Sequence, residues 1–132
     1  MPPPSSTAAP GFEPAIPILR ILDRRSARDF YQGFLGFSLD WEHRFAPHLP
    51  LYMQVSRGAL ILHLSEHLGD GTPGTVLYLR MEGIETFHEE LAARTHAFAR
   101  PGIESAPWGA RIMEIADPFG NRLRFAEHQP AR

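Results

Sequence analysis

The chain has 132 residues, 43% hydrophobic and 21% charged, with a net charge of −2 and no cysteine. This length supports one domain with a real core, and the missing cysteine excludes disulfides, thiolate metal sites and cysteine nucleophiles. All thirteen basic residues are arginine, the near-neutral balance argues against a nucleic-acid partner, and no apolar run approaches the ~18 residues of a membrane helix.

The opening MPPPSSTAAPGFEP has no basic n-region and no apolar h-region, so residues 1–14 read as a disordered tail rather than a signal peptide. A cytoplasmic location is the expectation. AIPILRI (15–21) is apolar and reads as a strand. Asp23 can cap a helix over residues 24–35, where Ala27, Phe30, Tyr31 and Phe34 form one apolar face. Gly36 supplies the stop. FSLDWEHRF (37–45) alternates and reads as a long strand. LYMQVS (51–56) and ALILHLS (59–65) read as a hairpin about an Arg57-Gly58 turn.

HLGDGTPGT (67–75) is a Gly/Pro loop, after which the element order restarts. TVLYLRM (75–81) reads as a strand and residues 84–96 as a helix with Ile84, Phe87, His88, Leu91 and Thr95 on one stripe. A short strand follows at 103–106. ARIMEIAD (110–117) and NRLRFAE (121–127) form a hairpin around Asp117-Pro118-Phe119-Gly120, and 128–132, with His128, is a tail. Each half is therefore strand, helix and three strands, with modules at about 15–66 and 75–127. The expected fold class is α+β, with two βαβββ modules forming a cupped mixed sheet.

Alternation sorts the strands into two faces. One carries Leu19, Ile21, Met53, Val55, Leu62, Leu64, Leu79, Leu123 and Phe125, and packs on the helices. The other carries Ile16, Ile18, Tyr52, Gln54, Ile61, His63, Val76, Tyr78, Arg122 and Arg124. Such a mixture suits a concave ligand pocket, against the plainer reading of a sheet with one solvated face.

Residues 63–67 read HLSEH, which matches the H-x-x-E-H pattern of a class of zinc peptidases. That pattern requires a helix, where residues i and i+4 share a face. On a strand they stand about 13 Å apart, and Gly69 and Gly71 leave no room for a helix. The peptidase reading is rejected. His63 remains a polar group on the mixed face, Glu66 points away or joins the loop, and His67 is a loop residue.

DRRSARDFYQGFLGF (23–37) is similar to the opening helix motif of the glyoxalase/bleomycin resistance/dioxygenase superfamily, also called vicinal oxygen chelate proteins. PWGARIMEIADPFGNRLRF (107–125) resembles its closing hairpin, and the PWG and DPFGN pieces lean towards the bleomycin-resistance branch. The resemblance covers roughly 15–127. It implies paired βαβββ modules forming a cup, with a homodimer completing each pocket at the subunit interface.

Enzymes of that superfamily hold a metal at four pocket-facing strand positions, and motif alignment puts these at Ile16, His63, Val76 and Arg124. Only His63 could bind a divalent ion, because Ile and Val offer no lone pair and a guanidinium repels a cation. A catalytic site needs about three protein ligands. The resemblance therefore points to the metal-free, antibiotic-sequestering members, which need no cofactor. Asp40, Trp41 and Trp108 match groove residues of that branch, and His43, Phe45, Tyr52, Tyr78, His63, Glu114 and Arg124 are candidates to join the ligand-binding set. Trp41 shares a face with Phe37 and Leu39 on strict alternation, which would make it core. Glu114 can neutralise one of the mixed-face arginines; uncompensated, Arg20, Arg80, Arg122 and Arg124 would favour an anionic or neutral aromatic ligand over bleomycin.

Two other readings stand beside this one. A metal-dependent lyase, dioxygenase or thiol transferase would use His63 with ligands outside the aligned positions; separately, His43 and His63 would form a two-His site with Glu114 or Glu42 if the second and fourth strands approach. A domain kept for partner binding would have its cup filled by side chains.

Overall fold

The computed structural model describes residues 9–94 and 101–130. Strand β1 (Ile18–Arg20) leads through Asp23 into helix α1 (Arg24–Arg28). Asp23 caps it by accepting the Ser26 amide at 2.8 Å. The helix does not continue as an α-helix to residue 35: Asp29–Phe34 is π-helical, and the Leu35 amide reaches the Phe30 carbonyl at 2.9 Å. The wider turn lets neighbouring Phe30 and Tyr31, as well as Phe34, all face the interior. Gly36, at φ 77°, then reverses the chain.

β2 (Ser38–His43), β3 (Tyr52–Arg57) and β4 (Leu60–Ser65) complete the first module. Arg57 pairs with Leu60, so the hairpin turn is Gly58-Ala59 rather than Arg57-Gly58. The second module repeats the order as β5 (Val76–Arg80), α2 (Ile84–Ala92), β6 (Glu104–Ala106), β7 (Ala110–Ala116) and β8 (Arg122–His128). Thr95 and His96, expected on the second helix, lie outside the described residues. His128, expected in a tail, is the last residue of β8.

The two βαβββ modules form two mixed sheets, ordered β1-β4-β3-β2 and β5-β8-β7-β6. In each, the first strand pairs in parallel with the last, and the remaining pairs are antiparallel. The apolar faces of both meet one core containing Leu19, Tyr31, Met53, Leu64, Ile84, Leu91, Met113 and Phe125. Period-2 alternation fixes this side of each strand, because a one-residue slip would turn the whole apolar set to solvent.

Polar contacts lock the modules together at the Asp117–Asn121 turn. The buried Tyr31 hydroxyl donates to Asp117 Oδ2 at 2.7 Å. Asp117 Oδ1 accepts the amides of Phe119 and Asn121, and Oδ2 also accepts Asn121 Nδ2. Asn121 Nδ2 reaches across to the Arg20 carbonyl at 2.9 Å. Burial, and then the Asp117 carboxylate, pushes the Tyr31 phenol well above its usual pKa, so it stays protonated and donating. On the far side, Arg57 holds Glu90 through two contacts of 2.7 Å, a fork geometry that orients as well as attracts.

Among the described residues no helix is long and apolar enough to cross a membrane.

Candidate functional site

Both sheets leave the face opposite the helices open. On the first sheet the parallel and antiparallel registers place Ile18, His63 and Gln54 in one row. Trp41 joins that row, opposite Gln54, because the β2–β3 register shifts between Leu39 and Trp41. Asp40 is the extra residue of a β-bulge. Strict alternation would put Trp41 with Leu39 on the core side. The bulge instead turns Trp41 outward, 42% exposed, and re-aiming a side chain is what bulges do. Of the two placements open for Trp41, groove or core, the structure has the indole on the open face.

A directed hydrogen-bond chain crosses this face. The Tyr52 hydroxyl lies 2.6 Å from His63 Nδ1, and His63 Nε2 lies 2.9 Å from Gln54 Oε1. Gln54 Nε2 donates to Asp40 Oδ2 at 3.1 Å. One tautomer satisfies all three contacts: Tyr52 donates to Nδ1, and the Nε2 proton goes to Gln54. Burial lowers the His63 pKa, which favours that neutral form. Both ring nitrogens are therefore committed to neighbouring side chains. The rings pack to match, with Trp41 and Tyr52 nearly parallel at 6.0 Å and His63 edge-on to each at 5.4 and 5.1 Å.

The rest of HLSEH builds the end of the same wall. The Ser65 hydroxyl donates to Asp70 Oδ2 at 2.9 Å and accepts the His67 amide at 3.1 Å, pinning the 65–70 turn. Glu66 Oε1 accepts the Leu51 amide at 2.8 Å, with Arg44 3.5 Å away. Arg44 also donates to the Leu49 carbonyl, so the β2–β3 loop is folded back and Phe45 stands against His43 and His67, with ring centroids 4.6 and 6.3 Å apart. Trp41, His43, Phe45, Tyr52, His67 and Asp70 line a hollow of about 460 Å³. His67 lies in the loop after β4, as expected, but its place in the hollow was not foreseen, and sequence reasoning missed Asp70, for which the pattern carries no signal.

The second sheet's open face differs. The Trp108 indole donates to the Tyr78 hydroxyl at 3.2 Å, and Tyr78 lies 2.7 Å from His128 Nε2. Glu114 stands opposite Arg124 in register and takes its Nε at 2.9 Å, with Arg122 at 3.5 Å. Trp108, 61% exposed, sits on the rim. A hollow of about 590 Å³ runs from Trp108 past Ile112 to Glu114 and Arg124. Of the other arginines, Arg20 turns back towards the Ile21 carbonyl at 3.4 Å.

The expected site residues thus fall into two groups. Asp40, Trp41, His43, Tyr52 and His63 come together on the first sheet, and Tyr78, Trp108, Glu114 and Arg124 on the second. The chain does not gather the alternative metal set. β3 separates the strands of His43 and His63, Glu42 turns to Arg24 at 2.7 Å, and Glu114 belongs to the other sheet. Among the described residues no group of three or more His, Asp or Glu could hold a metal ion. Of the positions aligned to metal ligands, Ile16 precedes β1, Val76 pairs in register with Arg122, and only His63 carries a donor, already engaged.

A family model described as glyoxalase superfamily protein matches residues 5–131. No curated protein sequence matches. Among solved structures, the bleomycin resistance determinant encoded on transposon Tn5 is similar, with a TM-score of 0.69 and 23% identity over 90% of this chain and 100% of that one. The bleomycin-binding protein of Streptomyces verticillus, complexed with copper(II)-bleomycin, gives 0.69 and 26% over 92% and 100%. A glyoxalase/bleomycin resistance protein/dioxygenase superfamily member from Sphaerobacter thermophilus gives 0.64 and 25% over 88% and 98%.

Proposed function

The chain belongs to the glyoxalase superfamily, and on that premise we propose that it binds and sequesters a small aromatic molecule without metal chemistry. The observation that carries this reading is the commitment of His63. The one side chain able to ligate at the aligned positions spends both ring nitrogens on Tyr52 and Gln54 within an aromatic wall. Trp41 and Tyr52 offer a stacked surface to a flat ligand. The similarity to bleomycin-binding proteins supports the same reading.

The working unit in this proposal is a cytoplasmic homodimer. Each chain leaves Ile18, Trp41, Val76, Tyr78 and Trp108 substantially exposed on its two open faces. A second copy would cover them and turn two shallow walls into a pocket at the subunit interface.

The test uses untagged protein purified without chelators. Metal-free bleomycin and the uncharged fluorophore N-phenyl-1-naphthylamine are titrated while tryptophan emission is followed. Saturable binding is expected, weakened at least tenfold in Trp41→Ala or Trp108→Ala. The reading is overturned if neither probe saturates, or if both variants bind both probes as the parent does. A stoichiometric divalent ion that is lost in His63→Ala would overturn it as well and move the enzyme reading ahead.

A further inference from the structure

The hollow at the end of the first sheet has a shape and a charge that flat-ring stacking does not require. Its rings follow one another in contact: Trp41 to Tyr52 at 6.0 Å, Tyr52 to His67 at 6.4 Å, His67 to Phe45 at 6.3 Å and Phe45 to His43 at 4.6 Å. Only the first pair is near parallel, at 13°; the others meet at 60°, 85° and 89°. Rings that meet at such angles form the corners of an open-sided box rather than the parallel walls of a slot. A slot would take a planar ring, whereas a box takes a group with similar width in every direction.

One lining residue carries a formal charge at neutral pH, and it is acidic. Asp70 is fixed by Ser65 through Oδ2, which orients the carboxylate towards the rings rather than leaving it on a free loop. Its charge is felt inside the box, since it adds to burial in raising the Tyr52 phenol above its ordinary pKa. Arg44, next to His43 in the chain, is drawn away to Leu49 and Glu66 and does not neutralise it. Aromatic faces within about 6 Å of a cation attract it through their quadrupoles, and more strongly when water is excluded. A carboxylate beside them adds direct Coulomb attraction.

We propose that the box formed by Trp41, His43, Phe45, Tyr52 and His67, with Asp70 at its edge, binds an alkylated ammonium group. This deepens the sequestration reading and rests on it. The ligand class becomes an aromatic molecule with a methylated amine or quaternary ammonium arm, its rings on the Trp41–Tyr52 wall and its cation in the box. Of the arginines that pointed to an anionic ligand, Arg80, Arg122 and Arg124 sit on the other sheet, the last two paired with Glu114, while Arg20, in register with Ser65 on the first sheet, turns to the Ile21 carbonyl and does not line the hollow.

The probe is choline, compared with 3,3-dimethyl-1-butanol, which has the same shape and no charge. Both are titrated into the full chain at pH 8 by calorimetry, and competition with N-phenyl-1-naphthylamine is recorded. Choline is expected to bind at least tenfold more tightly than the alcohol. Asp70→Asn should weaken choline about fivefold and leave the alcohol unchanged. Phe45→Leu serves as the second variant, because Phe45 is 75% exposed and its loss leaves the core intact; it should also weaken choline. Equal affinity for choline and the alcohol, or choline binding indifferent to both variants, overturns the ammonium assignment. If the naphthylamine binds while choline does not, the ammonium assignment falls and sequestration stands. If neither binds, both fall.

Discussion

The two modules repeat one element order, yet their open faces are held by different forces. On the first sheet, neutral side chains hand hydrogen bonds from Tyr52 through His63 and Gln54 to Asp40, and the aromatic rings pack around that chain. On the second, Trp108, Tyr78 and His128 are linked near the rim, and the centre is an ion cluster in which Glu114 bridges Arg122 and Arg124, all three at least a third exposed. The first arrangement is directional and partly shielded from water, so it fixes ring positions. The ion cluster of the second is screened by solvent and salt and holds little in place. Duplicated architecture therefore leaves room for one face to specialise in shape and the other in charge.

The comparison depends on the modules being locked, and its largest test is Asp117→Ala. That change leaves the Tyr31 hydroxyl, the Phe119 and Asn121 amides and one of the two Asn121 Nδ2 hydrogens without their acceptor. We expect a loss of about 3–5 kcal/mol of stability in urea unfolding, since each buried donor left without a partner costs about 1–3 kcal/mol. An unchanged midpoint would show that the modules do not rely on this joint.

Deleting Asp40 addresses the first face directly. Without the extra residue, Leu39 and Trp41 become neighbours on a regular strand, and alternation keeps Trp41 opposite Gln54 on the open face. Binding of N-phenyl-1-naphthylamine should be kept within about threefold, although the Asp40 contact to Gln54 is lost. Lost binding with a blue-shifted tryptophan emission would mean that the bulge sets more than the side on which the indole stands.

The two faces should also respond differently to pH and salt. Burial holds the His63 pKa below its ordinary 6.5. A group whose folded-state pKa is depressed contributes stability present above the unfolded value and lost as pH falls below it. Stability should therefore decline from about pH 6.5 downward, as the unfolded chain takes up the proton first. In His63→Gln that part of the decline should vanish; an identical pH profile would place the titrating group elsewhere. The smallest effect is expected from Glu114→Gln on the second face, about 0–1 kcal/mol, because exposed ion pairs contribute little. A loss well above that would mark the Arg122–Glu114–Arg124 cluster as structural.

Much of the fold was legible because period-2 alternation is a physical requirement of a half-buried strand. Leu19, Met53, Leu62 and Phe125 could be placed in the core on that ground, and the structure puts them there. Alternation fails where the backbone breaks its own period. Asp40 inserts one residue, and nothing in SLDWEH distinguishes a bulged strand from a regular one. The π-turn at Asp29–Phe34 escapes the sequence for the same reason, since tertiary demand on Tyr31 rather than local propensity accounts for it. At the site, His63 could be seen as a polar group on the open face. Its partners depend on strand register, and Asp70 joins the site only through the Ser65 hydroxyl, a contact five residues apart in the chain that no periodicity encodes.

The joint between Tyr31 and Asp117 also has a consequence for how the molecule is made. The two residues are 86 positions apart, so the phenol leaves the ribosome long before its acceptor. At about 5–20 residues per second, the interval is roughly 4–17 s. Throughout it, the nascent first module carries an interior hydroxyl without its carboxylate and an apolar helix face without its other half. The interior of the first module is therefore completed only once Asp117 has followed.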